Sequence, residues 1–167
     1  MSATGVAVFD RTLQTTHLWL NDISATLGVN RSRAWIVLGV VLRALRDRLP
    51  LVLSANLAAE LPLLIRGAYY ANYTPERQPA DWRTADEFLD EVEYNLAGPV
   101  LAGDAVDAVF DVLSSQLPEG ICDKVRLALP ADIRRLWTGE PPTEPYREPY
   151  VGRSGRTMRA LSTGPGL

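Results

Sequence analysis

Apolar side chains return at helical spacing almost from the start of the chain. Phe9, Leu13, His17, Leu20, Ile23 (or Ser24) and Leu27 form one inward stripe, and Gly28 is a good stop for it. Asn30 can cap a second helix running to about Arg48. That helix is apolar nearly all round between Ala34 and Leu42, with Arg31, Arg33, Arg43, Arg46 and Arg48 at its ends, so it belongs in the middle of a bundle. A third helix, from Ser54, carries Leu57, Leu61, Leu64 and Ile65 and runs into Tyr69, Tyr70 and Tyr73. Residues 74–83, with Pro75 and Pro79, read as a connector. Thr84 and Glu87 then form a capping-box pair that opens an acidic helix through Leu96, ended by Gly98-Pro99. Asp104 can start the next helix, through Gln116, and a last helical stretch ends near Trp137. No stretch alternates in the strand manner for more than a few residues.

The pattern repeats itself. Leu49, Pro50, Leu61, Pro62, Ile65 and Arg66 fall on Leu117, Pro118, Leu129, Pro130, Ile133 and Arg134, a gapless offset of 68 residues. Val41, Leu42 and Leu45 fall on Val109, Phe110 and Leu113 at the same offset, and at 69 Trp19, Leu20 and Ile23 fall on Phe88, Leu89 and Val92. Two diverged copies with a one-residue slip in a connection show this pattern. Proline pushes the residue before it out of the α region and lacks the N–H that a helix interior needs. Leu49 and Leu117 should therefore end helices, and Leu61 and Leu129 should be buried at breaks, with each proline in the first turn of the helix that follows.

The expected fold is all-α: a helical bundle of two pseudo-repeats, about three helices each with the third broken at Leu-Pro, plus an irregular C-terminal tail. The expected divisions are a loose leader at 1–8, a helical domain at 9–138 (repeats at about 9–73 and 84–138), and a Pro/Gly-rich tail at 139–167.

Composition narrows the function. Nearly half the 167 residues are apolar, enough for a real core, and no apolar run approaches membrane-spanning length. No charged-then-apolar leader is visible, and a lone Cys122 excludes an internal disulfide; both point to a reducing cytoplasm. The net charge of −3 is uneven: +3 over residues 1–73 and −7 over 74–137. Without a concentrated basic face, nucleic acid is not the expected partner, whereas another charged protein surface is.

Candidate chemistry is sparse. His17, the single histidine, reads as a packed core residue, and Cys122 as a small residue in the place of Ser54, although a helix N-terminus can lower a thiol pKa. Gly152-Arg153-Ser154-Gly155-Arg156 is too short for a phosphate loop. Asp86, Glu87, Asp90, Glu91 and Glu93 could hold a hard cation at helical spacing, but read as a solvated face. No catalytic, metal or cofactor residue is assigned. The candidates for partner binding are Tyr69, Tyr70, Tyr73 and Trp82 around the connector, Arg66 and Arg134 after the second Leu-Pro pairs, and Arg153, Arg156 and Arg159 in the tail. Buried against carboxylates, Arg66 and Arg134 would instead lock each repeat.

Residues 45–67, together with Glu87-Phe88-Leu89 and residues 129–137, resemble the bacterial family called domain of unknown function 2267. The resemblance covers roughly residues 9–138 and implies a compact helical domain of bacterial origin, with no activity attached. The reading is a non-enzymatic module that binds another protein or a second copy of itself, with the tail as a docking segment. The alternative is a small-molecule- or lipid-binding bundle, including an enzyme whose motif does not declare itself.

Overall fold

Each helix boundary in the computed structural model has a local cause. Residues 2–140 are described, and among them are eight α-helices and no strand. They are α1 (Ala7–Leu27), α2 (Arg31–Arg48), α3 (Leu51–Glu60), α4 (Leu63–Tyr69), α5 (Ala85–Leu96), α6 (Ala102–Gln116), α7 (Glu119–Ala128) and α8 (Ala131–Thr138). Gly28 closes α1 in the left-handed region at φ 65°, which costs glycine nothing. The Asn30 side chain accepts from Arg33 N and caps α2. Thr84 and Glu87 form a complete capping box at α5.

Leu49, Leu61, Leu117 and Leu129 all end helices in extended conformation, as the prolines after them require. All four are buried. The prolines themselves sit one position earlier than expected. They occupy the N-cap, not the first turn, with φ between −50° and −57° and extended ψ. At the N-cap no N–H is needed, while the proline carbonyl accepts the first intrahelical bond. Pro62 O receives Arg66 N at 2.8 Å and Pro130 O receives Arg134 N at 2.9 Å. The third helix accordingly begins at Leu51, not Ser54, and the breaks expected at Leu61 and Leu129 separate α3 from the short α4 and α7 from the short α8.

α2 packs against α1, α4, α5 and α6, and α6 against α1, α2, α5 and α8; α3 meets α7. One continuous core results, running from Trp19 and Ile23 through Val37, Leu38, Val41 and Leu45 to Val106, Val109 and Leu113. An aromatic line, Trp82, Phe88, Phe110 and Trp137, crosses it, with Phe110 and Trp137 stacked at 4.3 Å. No helix among the described residues is long and apolar enough to cross a membrane.

The stripe assigned to α1 is corrected. Its buried residues are Thr16, Trp19, Leu20 and Ile23, whereas Phe9, Leu13 and His17 are exposed. The neighbouring helices cover the face through Thr16, Trp19, Leu20 and Ile23, which is turned to one side of the stripe through Leu13 and His17.

Candidate functional site

Among the described residues the link between α4 and α5 is an irregular segment rich in hydrogen bonds, and the end of α2 holds it. Arg46, 2% exposed, donates through Nη1 to Tyr69 O (2.6 Å) and Ala71 O (2.8 Å), pairs through Nε with Asp47 (2.8 Å), and lies 4.8 Å over the Tyr73 ring. Arg43 donates to Ala68 O (3.2 Å) and Arg48 to Trp82 O (2.6 Å). Gln78 returns the favour by donating to Arg46 O and Leu49 O, both at 2.8 Å. Cations here face the C-terminal carbonyls of α4, the end of a helix where positive charge is stabilising. Burial and then the neighbouring Arg46 lower the pKa of Arg43, with Asp47 opposing them.

Tyr69, Tyr70 and Tyr73 are brought into one edge-to-face row, with centroids 5.2 and 5.5 Å apart. Tyr69 is fully buried, its hydroxyl 2.7 Å from Ser54 Oγ and donating to Ser54 O at 3.0 Å, so it supports the row from within. Burial pushes its phenol well above the ordinary value. Tyr70 is exposed, and Tyr73 is half-buried with its hydroxyl on Gln78. Trp82 is separated from this row and packs edge-on against Phe88.

Among the described residues Arg66 and Arg134 meet no carboxylate. Each guanidinium closes the end of the helix before it. Arg66 Nε donates to Ala58 O (2.8 Å) and Nη2 to Ala59 O (3.1 Å) and Leu61 O (3.0 Å). Arg134 Nε donates to Arg126 O (2.8 Å) and Nη2 to Leu127 O (3.1 Å) and Leu129 O (3.0 Å). The tail arginines Arg153, Arg156 and Arg159 lie outside the described residues, as does the docking-tail expectation built on them.

Arg43, Arg46, Arg48 and Gln78 were not singled out by sequence. The cluster of arginines at the end of α2 was visible, but its carbonyl partners lie 23 to 34 residues away.

Beside the link lies a polar cleft of about 450 Å³ formed by Asp47, Asn72, Arg77, Asp81, Trp82 and Glu91, open to solvent. Asn72 occupies the left-handed region there, at φ 54°. Among the described residues Thr74 is its one hydroxyl, and no Ser, Cys, Lys or His lines it. Among the described residues no group of three or more His, Cys, Asp or Glu is placed to hold a metal ion. Of the acidic series, Glu87 belongs to the α5 capping box, Glu93 accepts from Ala102 N at 3.2 Å, and Glu91 accepts from Asn95. Cys122 is buried, with its thiol directed at Leu113 O (3.5 Å), and burial pushes its pKa up, away from reactivity.

Exposed apolar side chains occur at several places, Val52, Leu101 and Leu127 among them, and one set gathers where the first turns of α1 meet α4. Val8, Phe9 and Leu13 on the first turns of α1 and Leu63 and Leu64 on α4 are all exposed. Leu64 N donates to Thr12 Oγ1 (3.0 Å), which ties α4 to this overhang. A groove of about 320 Å³ runs between them, floored by Trp19, Leu61 and Leu117 and flanked by Arg11 and Glu60.

A family model described as an uncharacterized conserved protein (DUF2267) matches residues 16–136, beginning where α1 becomes buried. No curated protein matches the chain.

Proposed function

This chain belongs to the DUF2267 family, and on that footing we propose that it is a non-enzymatic protein-interaction module whose partner seats on the face formed by the first turns of α1 and by α4. The observation that carries the reading is the uncovered overhang. Val8, Phe9 and Leu13 stand 53%, 50% and 39% exposed on α1, beside Leu63 and Leu64 at 49% and 41%. Apolar groups gathered beside a groove mark interaction sites more than isolated ones do. The overhang precedes the matched residues 16–136, so it adds a surface to the body that the family defines. A ligand-binding reading would need an enclosed pocket with convergent polar groups, and the clefts described above open to solvent.

We read the body, residues 9–138, as two pseudo-equivalent halves, and residues 139–167 as a docking segment. In support of the first, α3 and α7 start and stop 68 residues apart, and Arg66 and Arg134 close equivalent carbonyls. Tyr70, Tyr73 and Trp82 offer a secondary contact on the link.

The test is the full chain with Phe9→Glu and Leu64→Glu together. Sedimentation velocity measures self-association, and a photo-crosslinker placed at Leu63 identifies any other protein chain held there. Association or adduct formation that is lost in the double variant, with the helical circular dichroism retained, supports the reading. Undiminished association in the double variant, or a chain that stays monomeric and forms no adduct, overturns it.

A further inference from the structure

A second groove lies at the other end of the molecule from the overhang's helix start, where the α1–α2 turn meets the α5–α6 turn. It measures about 650 Å³, with Leu27, Val29, Val100 and Leu101 giving an apolar floor and Asp104 and Asp107 an acidic rim. Arg33, which does not line the groove, ties the two turns together by donating through Nη1 to Ala97 O at 3.3 Å. Along α6, Asp104, Asp107 and Asp111 are spaced three and four residues apart, so all three lie on one face, and all are exposed. Among the described residues none of them has an ion pair. Partial desolvation, and then Asp111 and Asp104, raise the pKa of Asp107, which marks a carboxylate that a neighbouring cation would stabilise.

The C-terminal side of the described chain leaves from the far end of this same face. Trp137 Nε1 donates to Ser114 Oγ at 2.7 Å, which fixes the end of α8 on the last turns of α6. From Ser114 back to Asp104 is about 15 Å at a helical rise of 1.5 Å per residue. The eleven residues 140–150 span up to about 36 Å when extended. Beyond them, Val151, Met158 and Leu161 are apolar, Arg153, Arg156 and Arg159 are basic, and no acidic side chain follows. Charge, apolar content and reach all match the acidic face and its groove.

We propose that residues 151–161 of this same chain lie along the acidic face of α6, with Arg153, Arg156 and Arg159 against Asp104, Asp107 and Asp111 and the apolar side chains in the groove between the two turns. The proposal deepens the docking-segment reading above by naming its seat, and it is independent of the overhang.

The test uses the full chain with Ala160→Cys and Cys122→Ser, spin-labelled at position 160 and isotope-labelled for NMR. Amide signals of residues 104–111 should fall by roughly twofold or more at low salt and recover at high salt, as screening shortens the reach of the charges. Asp107→Asn with Asp111→Asn should abolish the effect while leaving helicity intact. A mixture of spin-labelled chains with separately isotope-labelled chains should show no broadening. Three results overturn the proposal: no broadening on α6 in the doubly labelled chain, broadening that survives both aspartate substitutions, or broadening in the mixed sample, which assigns the seat to a second copy. The Phe9→Glu, Leu64→Glu variant should retain the broadening, so loss of partner association and loss of tail docking are read separately.

Discussion

Replacing Arg66 and Arg134 one at a time by alanine tests the proposal that the chain consists of two equivalent halves. Each arginine closes a helix whose last carbonyls have no intrahelical partner. In both places Nε takes a carbonyl at 2.8 Å and Nη2 takes two more at 3.1 and 3.0 Å. A hydrogen bond from a charged donor contributes about 1.5–3 kcal/mol where its acceptor would otherwise be left unpaired. The bonds to Ala59 O and Leu127 O are exposed, and water replaces them at little cost. The bonds to Ala58 and Leu61, and to Arg126 and Leu129, are partly buried. Water reaches these in part, and ordering the side chain opposes the gain, so the expected loss is about 2–3 kcal/mol per substitution. Urea unfolding of the full chain, followed by circular dichroism, supplies the midpoint and slope that define each loss. The two losses should agree within about 0.5 kcal/mol, since the three bonds are the same in length and exposure at both sites, and the double variant should show their sum. Lysine at either position keeps the charge but not the fork, and should recover less than half of the loss. Losses that differ by more than about 1 kcal/mol, or that both fall below the ~0.5 kcal/mol typical of ordinary surface changes, would refute the equivalence.

Leu61→Ala and Leu129→Ala should each cost about 2–5 kcal/mol by thermal or urea unfolding, since both side chains are 2% exposed at a helix break. Thr84→Ala should cost about 1 kcal/mol by removing the capping-box acceptor of α5, and Thr84→Ser should restore most of it. Tyr69 has a pKa raised by burial, so folding favours its neutral form; that stability is intact below the ordinary tyrosine value of about 10 and is lost as pH rises through it toward the folded value. Ultraviolet titration should therefore show Tyr69 ionising only with unfolding, and Tyr69→Phe should flatten the alkaline fall in stability. Cys122 should react with a thiol reagent slowly in the native chain and rapidly in urea, and equal rates would contradict its burial.

Local covalent chemistry decided much of this architecture before any tertiary contact formed. A leucine followed by proline cannot continue a helix, so Leu49, Leu61, Leu117 and Leu129 mark four helix ends in the bare sequence. Asn30, Gly28 and the Thr84–Glu87 pair act within three residues of themselves and were equally legible. The family resemblance was legible for the same reason, because it rests on this punctuation. Packing decided the rest. The apolar residues at the start of α1 set a stripe containing His17, but the neighbouring helices pack on a face turned to one side of it, through Thr16. The arginines at the end of α2 could be counted, yet their acceptors are carbonyls more than twenty residues away, at the end of α4 and in the link that follows it. Arg66 and Arg134 could be paired with each other by position, but that they bind carbonyls and not carboxylates depends on a turn that closes only when α4 and α8 fold back. A helix end is written in the few residues around it because backbone sterics reach no farther. A side chain's partner depends on where distant segments come to rest, and only the packed core settles that.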